Sequence, residues 1–64
     1  MKRNEFERHL RVAGCRLERE GGRHSIWLNS ANGASASIPR HTEIKKNTAR
    51  RICKDLGIDK PKGL

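Results

Sequence analysis

Two short segments carry the side chains best suited to chemistry. In Gly21-Gly22-Arg23-His24-Ser25-Ile26-Trp27 a histidine follows directly on a glycine turn. Imidazole can accept or donate a proton near neutral pH. A position next to a turn is accessible, yet a strand holds its side chain more firmly than a loop would. Arg23 beside it can bind a phosphate. The second segment, Ile38-Pro39-Arg40-His41-Thr42, sets another histidine beside an arginine, and Lys45, Lys46, Arg50 and Arg51 follow closely. A helix beginning there would add free backbone N–H groups, so the region reads as a phosphate cradle. Bland alternatives stand beside both readings. His24 shares its parity with Ile26 and Leu28, which fits a structural histidine at a sheet rim, and the basic loop can simply keep the chain soluble.

The remaining residues offer less. Trp27 falls on the outward parity of its strand, where it can stack a base, anchor a protein interface or cover neighbouring aliphatic stems. His9 reads as a structural or surface residue of the first helix. No Ser-His-Asp arrangement is visible, and the seven acidic residues are scattered. Cys15 and Cys53 form no CxxC pair and join no His/Cys cluster at zinc spacing, so no metal site is expected. Both read as reduced core residues.

The elements that must hold these groups follow from periodicity. Phe6, Leu10 and Ala13 recur at helical spacing between Lys2 and Ala13, with Asn4 as an N-cap and Gly14 as the stop. From Cys15 the period becomes two, with Leu17 and Arg19 alternating against Arg16, Glu18 and Glu20. Gly21-Gly22 turns the chain into a second strand, Arg23 to Asn29, and Asn32-Gly33 turns it into a third, Ala34 to Ile38, which Pro39 ends. Asn47 and Thr48 then cap a last helix whose stripe is Ala49, Ile52, Cys53 and Leu56, and Gly57 stops it. The expected architecture is α+β, a single small α-β-β-β-α domain. Its three-stranded antiparallel sheet carries both helices on one face. That covered face is expected to be Cys15, Leu17, Ile26, Leu28, Ala36 and Ile38. Arg16, Glu18, Ser25, Trp27, Ser35 and Ser37 would face solvent or a partner. Residues 1–58 form the domain, and 59–64 read as a flexible, frayed tail.

Composition limits what such a domain can do. Sixty-four residues make one small domain, and hydrophobic residues are 33% of the chain. A core of this size yields only about 3–5 kcal/mol of net stability and no deep interdomain pocket. No apolar run approaches the roughly 20 residues that span a bilayer, and the charged stretch Met1 to Leu10 does not read as a secretory signal. No Gly-rich dinucleotide fingerprint occurs, so no cofactor is expected. Fifteen Lys and Arg against seven Asp and Glu give a net charge of +8. That balance favours polyanionic partners, nucleic acid first, with an acidic protein as the alternative.

Taken together, these segments resemble the HicA (YcfA-like) family of small toxins. The resemblance rests on Ala13-Gly14, Leu17-Glu18-Arg19, Gly22-Arg23-His24, Ile38-Pro39-Arg40-His41 and Glu43-Ile44-Lys45. It continues through Thr48-Ala49-Arg50-Arg51-Ile52 to Leu56-Gly57-Ile58. It runs from about Glu5 to Ile58. It implies a fold like double-stranded-RNA-binding domains and a cytoplasmic, ribosome-independent mRNA interferase, the toxin of a type II toxin–antitoxin pair. It also implies a HicB antitoxin that covers the active site. The family's essential histidine falls on His24. Many members read Gly-Ser-His-His where this chain reads Gly22-Arg23-His24-Ser25, so the serine and the second histidine are replaced. Metal-independent RNA cleavage needs a base for the 2′-OH and cations for the charged phosphorane. His24 is the expected base. Arg23, Arg40, His41, Lys45, Lys46 and Arg50 are the expected RNA and phosphate contacts, and His41 is available as a general acid. His24, Trp27 and Arg40 are the expected antitoxin contacts. A non-catalytic RNA-binding module with the same basic surface is the alternative.

Overall fold

The sequence periodicities settle into five elements in a computed structural model that describes all 64 residues. They are α1 (Arg3–Val12), β1 (Cys15–Glu20), β2 (His24–Asn29), β3 (Ala34–Pro39) and α2 (Lys46–Leu56). The strands form one antiparallel sheet in the order β1-β2-β3. Consecutive strands are neighbours because two tight turns join them. The first helix packs chiefly on β1 and the second on β3. Both helices start without the expected side-chain caps: Lys2 and Lys45 occupy the N-cap positions and make no cap hydrogen bond. Asn4 instead accepts a 2.9 Å bond from the Glu5 amide.

The covered face of β2 is the reverse of the expected one. Ser25, Trp27 and Asn29 are buried beneath the helices, while Ile26 and Leu28 lie half-buried on the open face. Trp27 is 1% exposed and heads the largest fully buried side chains. It is therefore a core residue, and it does not present a stacking or docking surface. Size decides this. No other side chain in the chain removes as much apolar surface from water, and only the space between sheet and helices can take it. Arg11 closes the remaining side, its guanidinium 5.2 Å from the ring centroid. The indole Nε1 is buried with no hydrogen-bond partner.

Around Trp27 the core gathers Phe6, Leu10, Cys15, Ala36, Ile38, Ile44, Ala49, Ile52, Cys53 and Leu56. Leu17, expected in that core, is on an edge strand and 44% exposed. A bulge follows it: Leu17 pairs with Trp27, but Arg19 pairs with Ile26, so Glu18 is the extra residue. The bulge turns Arg19 onto the open face, out of the parity that Cys15 and Leu17 begin. Ile44 anchors a loop that reads from sequence as merely basic. Both cysteines are buried and unbridged. Burial pushes both thiols up, Cys53 to about 11, with Cys15 adding to the shift there. They stay protonated and unreactive at neutral pH.

Buried Asn29 is satisfied by tertiary bonds. Its side chain donates to the Leu56 carbonyl at 2.9 Å and accepts from the Ala31 amide at 3.0 Å. Asn32 donates to the same carbonyl at 3.1 Å. The β2–β3 turn thus closes the last turn of α2. Gly57 ends that helix at φ +70°, and a Cβ there would stand 2.6 Å from the Asn32 side-chain nitrogen. Residues 59–64, expected to fray, fold back on the domain. Pro61 is buried, Leu64 packs on the core, and His9 Nε2 donates to the Asp59 carbonyl at 2.8 Å. That bond, with His9 stacked on Phe6, fills the structural role expected of His9.

Truncating a buried Trp to Ala costs about 3–5 kcal/mol, which matches the whole net stability of so small a domain. Trp27→Ala is therefore expected to be unfolded at room temperature by circular dichroism. Trp27→Phe, which removes the unpaired indole donor, should still fold and melt cooperatively. A cooperative Trp27→Ala melt near the native temperature would return Trp27 to the surface.

Candidate active site

The reversal of β2 changes the meaning of His24. It still shares a face with Ile26 and Leu28, but that face is the open one, and His24 is exposed. The parity that favoured a structural histidine now places it in solvent.

Three backbone features fix its position. The ladder pairs His24 with Pro39. Beyond that pair the Arg40 amide donates to the Arg23 carbonyl at 3.2 Å. The Gly21 amide donates to the His24 carbonyl at 2.8 Å and closes the turn. A Cβ on Gly21 would lie 2.9 Å from that carbonyl oxygen, so the turn needs a glycine. Arg40 then ties the turn to the end of β3. Its guanidinium donates to the Gly21 carbonyl at 3.2 Å and pairs with Glu20 at 3.7 Å.

A shallow depression of ≈ 430 Å³ results, lined by Gly22, Arg23, His24, Arg40 and His41. The two histidine segments of the sequence meet here, one from each strand end. A second groove of ≈ 520 Å³ continues from it, with His41 common to both and Glu43, Ile44, Lys45 and Thr48 among its other walls. Lys46 and Arg50 stand exposed on the first turns of α2 and line neither depression. Trp27 is absent from both, being in the core. Arg23 and Lys45 make no ion pair, so their charge is available to an anion, whereas Arg40 is partly spent on the turn.

Sequence reasoning named most of the lining but missed Glu43 and the way the loop after β3 is held. Glu43 lines the groove, with its carboxylate paired to the N-terminal ammonium of Met1 at 3.2 Å. Its backbone bridges to Lys2, and the Arg3 amide donates to the Thr42 carbonyl at 2.8 Å. Only the buried Ile44 could have signalled that the loop is held rather than free. No three His, Cys, Asp or Glu side chains come together as a metal set, and no helix is long and apolar enough to cross a membrane. The arrangement offers two imidazoles and two guanidiniums in one shallow hollow. That set suits proton transfer beside a phosphodiester.

Residues 3–58 match the family model described as HicA toxin of bacterial toxin-antitoxin. No curated protein and no solved structure matches the chain.

The exposed Arg40 contacts are worth little to global stability, about 1 kcal/mol or less, but they hold the turn. Arg40→Ala is expected to melt within a few degrees of the native chain. Its Gly21 amide should nonetheless exchange hydrogen several-fold faster, with core amides unchanged. Unaltered exchange at Gly21 would show that the backbone bonds alone hold the turn.

Proposed function

This chain belongs to the HicA toxin family of bacterial toxin–antitoxin systems, and we propose that it is an mRNA interferase acting in the cytoplasm with His24 as its general base. The observation that carries this reading is the exposed His24 imidazole in a hollow that it shares with two arginines. RNA contains its own nucleophile. Removing the proton of a 2′-OH lets that oxygen attack the adjacent phosphorus, so the protein needs a base and cations rather than a nucleophile of its own. His24 takes the proton. Arg23, free of ion pairs, and Arg40, held in place, meet the charge that grows on the phosphorane oxygens. Cleavage leaves a 2′,3′-cyclic phosphate and a 5′-OH.

A shallow site cannot enclose a base, so affinity comes from the backbone. Lys45 in the adjoining groove, with Lys46 and Arg50 on α2, would hold flanking phosphates and position the strand without reading its sequence. His24→Ala is expected to keep its fold and its RNA affinity while losing about 10²–10⁴-fold in cleavage rate. The measurement is cleavage of a labelled mRNA in EDTA. A folded His24→Ala chain that cleaves as fast as the native one would sink the assignment. A native chain that binds RNA but never cleaves it would favour the simple binding module.

The antitoxin in this reading is an acidic HicB-like protein lying over the same hollow. With Trp27 in the core, its apolar footing on this side becomes Ile26 and Leu28, half-buried beside His24 on the open face and flanked by Arg16 and Arg19. Charge complementarity speeds such an encounter, and apolar contacts slow its reversal. Hydrogen exchange of the complex should show protection centred on 21–28 and 40–45. Free exchange there in an inhibited complex would mean that the antitoxin acts from elsewhere.

A further inference from the structure

The hollow around His24 holds one more group able to move a proton, and we infer that His41 is the general acid of the cleavage. The inference rests on His24 as the base. Expelling the 5′-oxygen as a bare alkoxide is unfavourable, so a donor is needed on the far side of the phosphorus. The hollow is lined by Gly22, Arg23, His24, Arg40 and His41. Glycine has no side chain to offer, and guanidinium does not give up its proton in proteins. With His24 occupied as base, His41 is the remaining donor in the hollow.

Its placement is built rather than incidental. His41 sits between two backbone anchors: Arg40 is bonded to the Arg23 carbonyl at 3.2 Å, and the Thr42 carbonyl accepts from the Arg3 amide at 2.8 Å. The residues on either side are thus tied to β2 and to α1, which fixes the backbone at His41, a residue that lines both depressions. The ring itself makes no hydrogen bond and no ion pair, so neither of its nitrogens is committed to structure. The charged groups lining the two depressions with it are Arg23 and Arg40 in one and Lys45 and Glu43 in the other, Glu43 being paired with the N-terminal ammonium at 3.2 Å.

The step balances. His24 removes the 2′-OH proton as the 2′-oxygen bonds to phosphorus. The P–O5′ bond breaks, and protonated His41 delivers its proton to the departing 5′-oxygen. His24 ends protonated and His41 neutral, and exchange with water restores both. No oxidant, reductant or co-reactant enters.

A leaving group that needs no proton separates the two roles. The full chain, His24→Ala and His41→Ala would be assayed in EDTA on one RNA and on its analogue with sulfur replacing the bridging 5′-oxygen at the cleaved position. Circular dichroism and RNA binding would confirm that the variants are folded. The expected result is that His41→Ala loses about 10²–10⁴-fold on the oxygen substrate and approaches the native rate on the sulfur substrate, while His24→Ala fails on both. Equal losses of His41→Ala on the two substrates would make it a positioning residue and overturn the inference. So would rescue of His24→Ala, which would exchange the roles, or a fully active His41→Ala. A native chain inert on both substrates would instead overturn the interferase reading itself, and the acid with it.

Discussion

The burial of one indole sets the geometry of everything else. A 64-residue chain has a small interior, and Trp27, the largest of its buried side chains, fills it from the middle of the central strand. Because strand side chains alternate strictly, committing Trp27 to the helices commits Ser25 and Asn29 with it. It also commits His24, Ile26 and Leu28 to the other side. A register moved by one residue would put the histidine under the helices and leave the indole in water. The chemistry on the open face is therefore held in place by hydrophobic burial on the covered one.

Construction of the site follows the same economy. Two strand ends, one three-residue turn and one pinned loop bring two His-Arg pairs together across seventeen residues of sequence. None of the four side chains is buried, so none had to be desolvated to reach its place. The rigidity comes from main-chain bonds at Gly21, Arg40 and Thr42. Such a site is open to a long, charged, irregular substrate, and equally open to a protein that lies across it.

Most of the fold was legible in the sequence. The helical stripes, the two turns and the stops at Gly14 and Gly57 are written in local periodicity and in glycine, and the elements fell within a residue or two of where they were expected. The covered face of β2 was not legible, because that strand carries apolar side chains on both parities. Counting Ile26 and Leu28 outvotes Trp27, although the larger ring wins on area. Polar Asn29 misled in the same direction. Its burial depends on the carbonyl of Leu56, a partner that no window along the strand contains. The bulge at Glu18 and the buried Ile44 are likewise tertiary facts. Of the site, both histidines and their arginines were legible as residues in short motifs. Their meeting in one hollow was not, since it depends on the register that pairs His24 with Pro39.

The clasp between the β2–β3 turn and the end of α2 carries an evolutionary consequence. Asn29 and Asn32 share the Leu56 carbonyl, and the Asn32 amide lies where a side chain on Gly57 would begin. Any larger residue at 57 meets a twisted backbone and a blocked path together. Relief at 32 removes only the second obstacle and also loses a helix-closing bond. The turn and the helix end, twenty-four residues apart in the chain, are then inherited as one unit. Among descendants of this sequence, a side chain at 57 has to wait for position 32 to yield, while position 32 is under no such order from 57.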